Sequence, residues 1–314
     1  MGTIRIGTRA SALARWQTDA IVKLWRERDP RLAVEIVDLT TAGDDLADAP
    51  LERMEGTGFF TSSLERALLS DAIDVAVHSL KDLPVEPTPG LAIAAIPARG
   101  PVEDVLCARG ALTLDTLARG ARVGTSSLRR IAQIRALRPD LECVPLRGNV
   151  PTRLERVARG DLEAVVLARA GVTRLGLAGR ITEVFPLERL LTAPAQGAMA
   201  VQARAGDRAI TEPLAALDHA PTRRAVEAER AVLHALRGGC SVPVGAHACV
   251  DGDRIAVDAG VFAIDGSRPL RVRREGRDPV ATGEVAAQAL LAAGANEILA
   301  QLEREPRVAW EARR

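Results

Sequence analysis

The sequence predicts an α/β protein with two successive α/β regions and a smaller α+β region at the end. In residues 3–96 and again in residues 105–168, apolar runs of strand length alternate with helical segments. This alternation is typical of mostly parallel or mixed sheets with helices on both faces. Pro97 to Pro101 has the composition of a linker between the two regions. After Asp207 the pattern changes to two helices, two alternating segments and a final helix.

The first region is predicted to contain four strands and two helices. Ser11 is a favourable N-cap for the first helix, and Ser62 with Glu65 forms a capping-box pattern for the second. The strands are predicted at residues 3–7, 33–39, 73–78 and 91–96, and the helices at residues 11–28 and 62–70.

Similar signals define the elements of the second and third regions. Ser126 or Ser127 caps one helix that ends before Pro139, and Asn149, with Pro151 in the first turn, caps the next. Strands are predicted at residues 105–108, 122–124, 142–146, 164–168, 242–250, 254–263 and 269–274, and the later helices include residues 221–237 and one continuous helix from about 280 to 302.

The composition is that of a soluble globular protein with more than one domain. The chain has 314 residues, of which 47% are hydrophobic and 26% charged. Aromatic residues make up 2% and tyrosine is absent, which counts against nucleic-acid binding by base stacking. We find no signal peptide and no apolar run long enough for a membrane span. The four cysteines form no CxxC pair, which argues against zinc and disulfides and favours a reducing cytoplasm.

Positive charge is concentrated in residues 121–180, although the net charge of the chain is only +1. This segment holds twelve arginines and five acidic residues, so its charge is +7 and that of the remainder is −6. Such a concentration indicates either an anionic partner or internal ion pairs.

Three loops combine a predicted strand end, a helix start and arginine: residues 7–11, 124–130 and 146–153. Backbone N–H groups at helix starts and planar guanidinium groups both bind carboxylates or phosphates. The first two loops, which begin with glycine, match neither the dinucleotide-binding pattern nor the P-loop pattern. Each loop alone is compatible with a plain capped helix start, but three at strand ends favour a polyanionic ligand.

Residues 77–84 follow a buried strand and carry Lys81 and Asp82. A carboxylate at a strand end beside a lysine suits acid–base chemistry, and a structural turn before Pro84 with an exposed ion pair fits the spacing equally well. His78 is expected in the core, and the other three histidines form no metal-spaced cluster, so no metal is expected.

Cys240 lies in a glycine-rich junction, residues 238–243, between a predicted helix and a predicted strand. A thiol at such a junction is accessible, and it is then reactive, a covalent tether or an ordinary surface cysteine. Taken alone, the motif favours the surface cysteine.

Five runs of the sequence together resemble the porphobilinogen deaminase (hydroxymethylbilane synthase) family. They occur in the family's order and cover nearly the whole chain: residues 5–9, 77–84, 123–130, 146–149 and 239–243. The resemblance implies a transferase of porphyrin and heme biosynthesis that joins four porphobilinogen molecules head to tail, with release of ammonia. The product is the linear tetrapyrrole hydroxymethylbilane.

The resemblance also implies a role for individual residues. Asp82 would be the catalytic carboxylate, which holds the pyrrole N–H groups and stabilises the cation formed as ammonia leaves. Cys240 would carry a dipyrromethane cofactor through a thioether. Each pyrrole bears an acetate and a propionate, so the growing chain is an anionic partner that suits the arginine-rich segment. The other residues implied to bind the cofactor are Ser79, Lys81, Ser127, Arg129, Arg130 and Gly148, and those implied to bind substrate are Arg9, Ser11, Thr125, Ser126, Arg147, Arg153, Arg174 and Gln196.

The fold implied by the resemblance is two domains like those of periplasmic binding proteins, around a cleft, plus a small α+β C-terminal domain. Domain 1 would span residues 1–97 with a return segment near 197–215, domain 2 residues 102–192, and domain 3, with the cysteine loop, residues 220–314. The return segment follows from the family pattern only. A monomer is expected.

Two positions depart from the family pattern. Thr57 stands between two glycines where many members have a lysine, which leaves open how that loop closes over the substrate. Ala195 stands where the family often has glycine, and is expected to stiffen the interdomain strand.

Two other classes of protein fit part of the sequence. An anion-binding, two-lobed solute-binding protein would share the architecture. However, a signal peptide is not found in this sequence, and that class of protein does not explain Cys240. A nucleic-acid binder would use the arginine-rich segment, but aromatic residues are not interleaved with the arginines. The expected partners are therefore porphobilinogen and the growing polypyrrole chain, with no nucleic acid and no membrane.

Overall fold

The computed structural model describes residues 2–39, 62–237 and 242–304. Two predicted features, the loop at residues 40–58 with Thr57 and the Cys240 motif, lie outside the described residues. In chain order the elements are β1 (Ile4–Arg9), α1 (Ala12–Arg26), β2 (Val34–Leu39), α2 (Ser62–Leu69), β3 (Val75–Ser79), a 3₁₀ turn (Leu80–Asp82), β4 (Leu91–Ala95), β5 (Asp104–Ala108), β6 (Arg122–Gly124), α3 (Leu128–Leu137), β7 (Glu142–Val144), α4 (Val150–Ala158), β8 (Ala164–Ala168), α5 (Arg169–Arg174), a second 3₁₀ turn (Ala178–Arg180), β9 (Glu183–Val184), β10 (Met199–Arg204), α6 (Arg208–Ala215), α7 (Ala220–Ala235), β11 (Val244–Asp251), β12 (Arg254–Phe262), β13 (Pro269–Gly276), α8 (Pro279–Ala292) and α9 (Ala295–Arg304).

The first five-stranded sheet has the strand order β2-β1-β3-β10-β4. β1 is parallel to β2 and β3, whereas β10 is antiparallel to β3 and β4. Residues 1–100 and 197–223 form one compact unit around this sheet, so the chain returns to the unit after leaving it. The bounds of the three domains given above stay a prediction.

The second five-stranded sheet repeats this arrangement, with the order β7-β6-β8-β5-β9. β6 is parallel to β7 and β8, and β5 is antiparallel to β8 and β9. Each strand of one sheet therefore has a counterpart in the other, although the sequences show no visible repeat.

One glycine in each sheet allows the same close packing. A Cβ on Gly124 would lie 2.7 Å from Leu162 Cδ1 and 2.9 Å from Leu146 Cδ2, and a Cβ on Gly7 would collide with Ile73 Cδ1. The paired strands place the two glycines at equivalent positions, since Gly7 is opposite Ala76 and Gly124 is opposite Val165. Each glycine lets apolar side chains pack against the strand just before its carboxyl end.

The third sheet is antiparallel, with the order β11-β12-β13, and α7, α8 and α9 pack with it around a core of alanine, valine, leucine and isoleucine. It belongs to the second compact unit, residues 101–196 and 224–314. The predicted fold class is confirmed: two α/β regions and a small α+β C-terminal region.

Two predicted features are wrong in detail. Residues 280–302 do not form one helix, because α8 and α9 are separated at Gly294, whose φ of +95° is left-handed. Glu65 was expected to complete a capping box, but its Oε1 accepts hydrogen bonds of 2.9 Å from Thr88 Oγ1 and Gln202 Nε2. Its carboxylate therefore connects α2 to β10.

Ala195 adopts a left-handed conformation, with a φ of +60°, and is fully buried. Its N–H donates to Glu229 Oε2 at 2.6 Å, and Glu229 Oε1 accepts from the Ala248 N–H at 2.8 Å. Glycine adopts this φ without the steric penalty of a Cβ, which gives a physical reason for the glycine that the family pattern favours.

Among the described helices, no single one is long and apolar enough to cross a membrane, although α8 with residues 295–302 meets the length and composition test as a pair bent by 82°.

Candidate active site

In the first sheet, the predicted site residues lie where β1 and β3 end. Arg9 is the last residue of β1 and is half-buried, and Ser11 caps α1 by accepting the Ala14 N–H at 3.3 Å. Ser79, the last residue of β3, accepts a hydrogen bond of 2.8 Å from Gln17 Nε2 of α1. Because β1 and β3 are parallel, these residues share the sheet edge at which α/β proteins bind ligands.

Lys81 and Asp82 lie in the 3₁₀ turn that follows β3. The turn is held at both ends, because the Leu80 N–H donates to the Ala198 carbonyl and the Leu83 N–H donates to the Leu80 carbonyl. Lys81 is half-buried and Asp82 is exposed, so the Asp82 carboxylate is presented on a fixed backbone next to a buried strand.

His78 lies in the core, as predicted, with 5% of its surface exposed. Burial lowers the pKa of His78 to about 4; the nearby side-chain amide of Gln202 acts in the opposite direction, and the charge of Arg9 lowers the pKa further. The imidazole is therefore neutral at pH 7, and His78 supports β3 without adding charge.

In the second sheet, a serine connects two of the predicted anion loops. Ser126 Oγ donates to the Leu146 carbonyl at 2.9 Å and accepts from the Leu146 N–H at 2.8 Å. Thr125 is buried, and its Oγ1 accepts the Ser127 N–H at 3.3 Å. Ser127 occupies the N-cap position of α3 but makes no side-chain capping bond. The loops at residues 124–130 and 146–153 are therefore adjacent.

Arg129 and Arg130, in the first turn of α3, converge on the buried carboxylate of Asp104. Arg129 Nη1 is 2.8 Å from Asp104 Oδ2, and Arg130 Nη2 is 2.6 Å from Asp104 Oδ1. Arg129 is 3% exposed, Arg130 6% and Asp104 0%. Because β5 is antiparallel to β8, Asp104, its first residue, lies opposite Ala168 at the edge where β8 ends.

The cluster contains one more positive than negative charge. Burial opposes ionisation of Asp104, but the charges of Arg129 and Arg130 prevail and hold the pKa of Asp104 well below its usual range. Burial lowers the pKa of Arg129, and the charge of Arg130 lowers it further, while Asp104 raises it. A buried surplus charge is unfavourable unless a counterion joins it, so this arrangement suits one additional carboxylate.

Gln196 is fully buried in the same cluster. Its Nε2 donates to Asp104 Oδ1 at 2.9 Å and to the Val102 carbonyl at 2.8 Å. The structure thus places Gln196 against Asp104, where its amide holds the counterion of the two arginines.

The third loop is built around a left-handed glycine. Gly148 has a φ of +93°, and Asn149 caps α4 by accepting the Thr152 N–H at 3.0 Å, as predicted. Arg153 Nε donates to the Gly148 carbonyl at 2.7 Å. Arg147 and Arg153 are both half-buried, so their guanidinium groups lie at the surface of this loop rather than in the core.

Arg174 lies apart from these loops in the sequence, as the last residue of α5, which follows β8. Burial lowers the pKa of its guanidinium below the usual value. Arg174 is thus a partly desolvated arginine that follows β8, the neighbour of β6 in the sheet. Such an arginine is suited to bind a carboxylate of the ligand.

The arginine-rich segment is largely satisfied by internal pairs. Seven of its twelve arginines form ion pairs with carboxylates in the described part of the chain: Arg122, Arg129, Arg130, Arg138, Arg156, Arg159 and Arg169. Of the two explanations left open by the sequence, internal pairing is therefore observed, and the surplus charge at Asp104 leaves room for an anionic ligand.

Sequence reasoning missed Asp104, although a signal was present. The residue begins an apolar strand, Val105 to Ala108, and a carboxylate next to such a run is buried only when it is paired. Its two partners are about 25 residues further along the chain, so spacing alone could not identify them.

Two of the described cysteines have thiols with a raised pKa. Burial raises the pKa of Cys107 and of Cys143 to about 11, whereas Cys249 is exposed. Among the described residues, no group of three or more His, Cys, Asp or Glu side chains could hold a metal ion.

Cationic loops at the strand ends of an α/β scaffold, with a buried surplus of positive charge, are typical of α/β proteins that bind anionic ligands. A family model described as porphobilinogen deaminase, dipyrromethane cofactor binding domain, matches residues 4–212, and the model of that family's C-terminal domain matches residues 223–292. The chain belongs to the porphobilinogen deaminase family, whose members are transferases acting on porphobilinogen.

Curated relatives match over almost their full length. The porphobilinogen deaminase of Brevibacillus brevis is 44% identical over 306 residues, which cover 97% of this chain and 99% of the relative. That of Moorella thermoacetica is 47% identical over 302 residues, which cover 96% of both chains. A solved structure, the periplasmic VFT2 domain of Bordetella pertussis BvgS, aligns with a TM-score of 0.41 and 16% identity, covering 68% of this chain and 85% of that one. This last similarity is too low to support any conclusion.

The predicted family, enzyme class and dipyrromethane cofactor are confirmed by these matches. The roles assigned to individual residues stay predictions.

Proposed function

We propose that this chain condenses four porphobilinogen molecules head to tail on a dipyrromethane primer held by Cys240, and releases hydroxymethylbilane. Family membership supports the reaction. The observation that best supports the residue assignments is the buried Asp104 cluster, in which two arginines share one carboxylate. A carboxylate of the ligand, as a second negative charge beside Asp104, would balance the charges of the two arginines.

The residues present fit the cofactor. Each of its two pyrrole rings carries an acetate and a propionate, and guanidinium groups bind such carboxylates through paired hydrogen bonds. When bound, dipyrromethane supplies the pyrrole to which the first substrate unit is joined. The residues proposed to hold it, besides Cys240, are Ser79, Lys81, Ser127, Arg129, Arg130 and Gly148.

Asp82 is proposed to carry the catalytic step. In each condensation the C–N bond of the substrate's aminomethyl group breaks and ammonia leaves. A C–C bond then forms to the accepting pyrrole, whose ring carbon loses its proton. The exposed Asp82 carboxylate would accept the pyrrole N–H and stabilise the cation that precedes bond formation. The fixed turn that carries Asp82 keeps the carboxylate in place during the step.

Substrate carboxylates are proposed to bind the remaining cationic and polar groups at the strand ends. Arg147 lies half-buried in the loop before α4, Arg153 lies half-buried in the first turn of α4, and Arg9 lies half-buried at the end of β1. The other residues proposed for this role are Ser11, Thr125, Ser126, Arg174 and Gln196. The enzyme is further proposed to be a cytoplasmic monomer that binds neither nucleic acid nor membranes, as the sequence predicts.

The intact mass of the purified protein, together with its reaction with Ehrlich's reagent, tests the tether. We expect a mass excess equal to two substituted pyrroles, carried by the peptide that contains Cys240. The Cys240→Ala variant should lack both the excess and the colour, whereas Cys249→Ala, a control at an exposed cysteine, should keep them. Pyrrole still attached to the Cys240→Ala variant would overturn the assignment.

A further inference from the structure

A buried glutamine holds the backbone segment that accepts a hydrogen bond from Arg129. Gln133, one turn after Arg129 in α3, is 3% exposed. Its Oε1 accepts the Leu191 N–H at 2.8 Å, and its Nε2 donates to the Leu191 carbonyl at 3.0 Å and to the Arg129 carbonyl at 3.2 Å. The side chain therefore binds both polar groups of Leu191.

The Leu191 carbonyl also accepts a hydrogen bond from the guanidinium of Arg129, at 2.6 Å from Nη1. The same Nη1 is 2.8 Å from Asp104 Oδ2. Arg129 is thus held between a backbone carbonyl fixed by Gln133 and the carboxylate of Asp104. Moving Leu191 would change the position of the guanidinium.

An arginine of the C-terminal sheet completes this network. Arg271, on β13, donates from Nη2 to Gln133 Oε1 at 3.0 Å, and from Nη1 to the carbonyls of Leu187 and Glu188 at 3.2 and 2.7 Å. Its guanidinium carbon lies 5.4 Å from the ring centre of Phe262 on β12. The C-terminal sheet is therefore connected to Arg129 through Gln133 and Leu191.

We propose that Gln133 and Arg271 are positioning residues for Arg129. Together they fix Leu191 so that the Arg129 guanidinium keeps the geometry in which it binds a ligand carboxylate. This inference rests on the proposed role of Arg129 as a carboxylate ligand. It gives the C-terminal region, which carries the cysteine loop in sequence, a second contribution to the site.

Non-additivity of kinetic effects tests the proposal. Arg271→Gln, at the sheet surface, and Gln133→Leu, which keeps the volume but no hydrogen bond, are compared by their kcat/KM for porphobilinogen consumption. The loss of a charge-assisted hydrogen bond at a positioning network should lower kcat/KM by roughly tenfold in Gln133→Leu and somewhat less in Arg271→Gln. Arg273→Gln is the matched control, since Arg273 lies on the same strand but pairs with Asp258 and Glu275 of its own sheet.

The double variants separate positioning from general stability. If the two residues act through Arg129, adding either Gln133→Leu or Arg271→Gln to Arg129→Gln should lower kcat/KM no further. Thermal melts of every variant identify the temperature range in which all are folded, and the kinetics are measured there. A full, multiplicative loss in the Arg129→Gln background would overturn the positioning role.

The failure of the proposed function is distinguishable from that of this inference. Wild-type kcat/KM in Arg129→Gln alone would remove Arg129 from the site, and the inference with it. A large loss in Arg129→Gln combined with unchanged kinetics in Gln133→Leu would leave the proposed function in place and overturn the positioning role only.

Discussion

The two five-stranded sheets share one strand order but differ in the burial of the charged groups where their strands end. In the first, the antiparallel strand β10 begins with Met199, opposite Ser79, and the chain after β3 presents the exposed Asp82. In the second, the corresponding strand β5 begins with Asp104, opposite Ala168, and binds two buried arginines. One scaffold therefore supports a solvent-facing carboxylate in one unit and a buried cationic cluster in the other.

The comparison indicates that the proposed catalytic and binding residues differ in burial as well as in residue type. A reacting carboxylate must reach the substrate, and Asp82 is exposed on a fixed turn. A binding cation benefits from a low-dielectric surrounding, where its interaction with a ligand carboxylate is stronger, but it then needs a counterion such as Asp104.

The largest expected effect is the loss of turnover on replacing the exposed carboxylate of Asp82. Asp82→Asn should lower turnover by at least about a hundredfold, because the amide has no negative charge with which to stabilise the cation. Steady-state consumption of porphobilinogen measures the loss. Asp38→Asn, at an exposed aspartate that pairs with Arg15, is the control and should leave turnover unchanged. Wild-type-like turnover by Asp82→Asn would remove Asp82 from the mechanism.

In the second sheet, the expected effect is on stability. Asp104→Asn leaves two buried guanidinium groups without a counterion, and we expect the free energy of unfolding to fall by about 3–5 kcal/mol. Urea denaturation measures the change. Asp140→Asn breaks the more exposed pair with Arg138, which solvent screens, and should cost much less. Equal losses of unfolding free energy in the two variants would contradict the claim that burial makes the Asp104 ion pairs more important for stability.

An ion-pair network in the first unit gives a smaller, pH-dependent effect. Asp74 pairs with Arg5 at 2.8 Å and with Arg204 at 3.0 Å. Burial opposes ionisation of Asp74, but hydrogen bonds from these two arginines lower its pKa from 3.8 to about 2. A lowered pKa in the folded state contributes stability above pH 4, which is lost as the pH falls through about 2.

Asp74→Asn should therefore lower the free energy of unfolding by about 1 kcal/mol at pH 7, since solvent screens these partly exposed pairs, and by progressively less below pH 4. Urea denaturation at pH 7 and at pH 3 checks this dependence. A loss that is the same at both pH values would show that the carboxylate charge is not responsible.

The smallest expected effect is at Ala195, next to the point where the chain passes from one unit to the other. Ala195→Gly removes the steric strain of the left-handed φ but increases the conformational entropy of the unfolded chain. Because these effects oppose each other, the free energy of unfolding should change by no more than about 0.5 kcal/mol. Ala198→Gly, at a buried alanine without a positive φ, should destabilise by about 1 kcal/mol in the same urea titration. Similar losses at both positions would contradict the strain assigned to Ala195.

Local signals predicted much of this fold. Ser11 and Asn149 cap helices where the sequence places them, since capping depends on residues three apart. The order of the strands did not follow from local signals. β10 pairs between β3 and β4, which are more than 100 residues earlier, and only the family pattern indicated the return.

The site was predictable in residue type but not in geometry. Glycine, serine and arginine at strand ends indicated an anion site, yet the pairing of Arg129 and Arg130 with Asp104 depends on the antiparallel register of β5 and β8. The contact of Arg271 with Gln133 joins residues 138 positions apart. Such contacts are set by the packing of whole elements, which no short window of sequence contains.

The different accessibilities and pKa values of the thiols offer a way to count molecules that carry the primer. Burial raises the pKa of Cys107 and of Cys143 to about 11, so both thiols stay protonated at pH 8 and react slowly with an alkylating reagent. The exposed Cys249 takes one label in every chain. With the primer on Cys240, as proposed, a second label would appear only on chains that lack it, so brief alkylation followed by mass measurement would give the fraction of primed enzyme without substrate or dye.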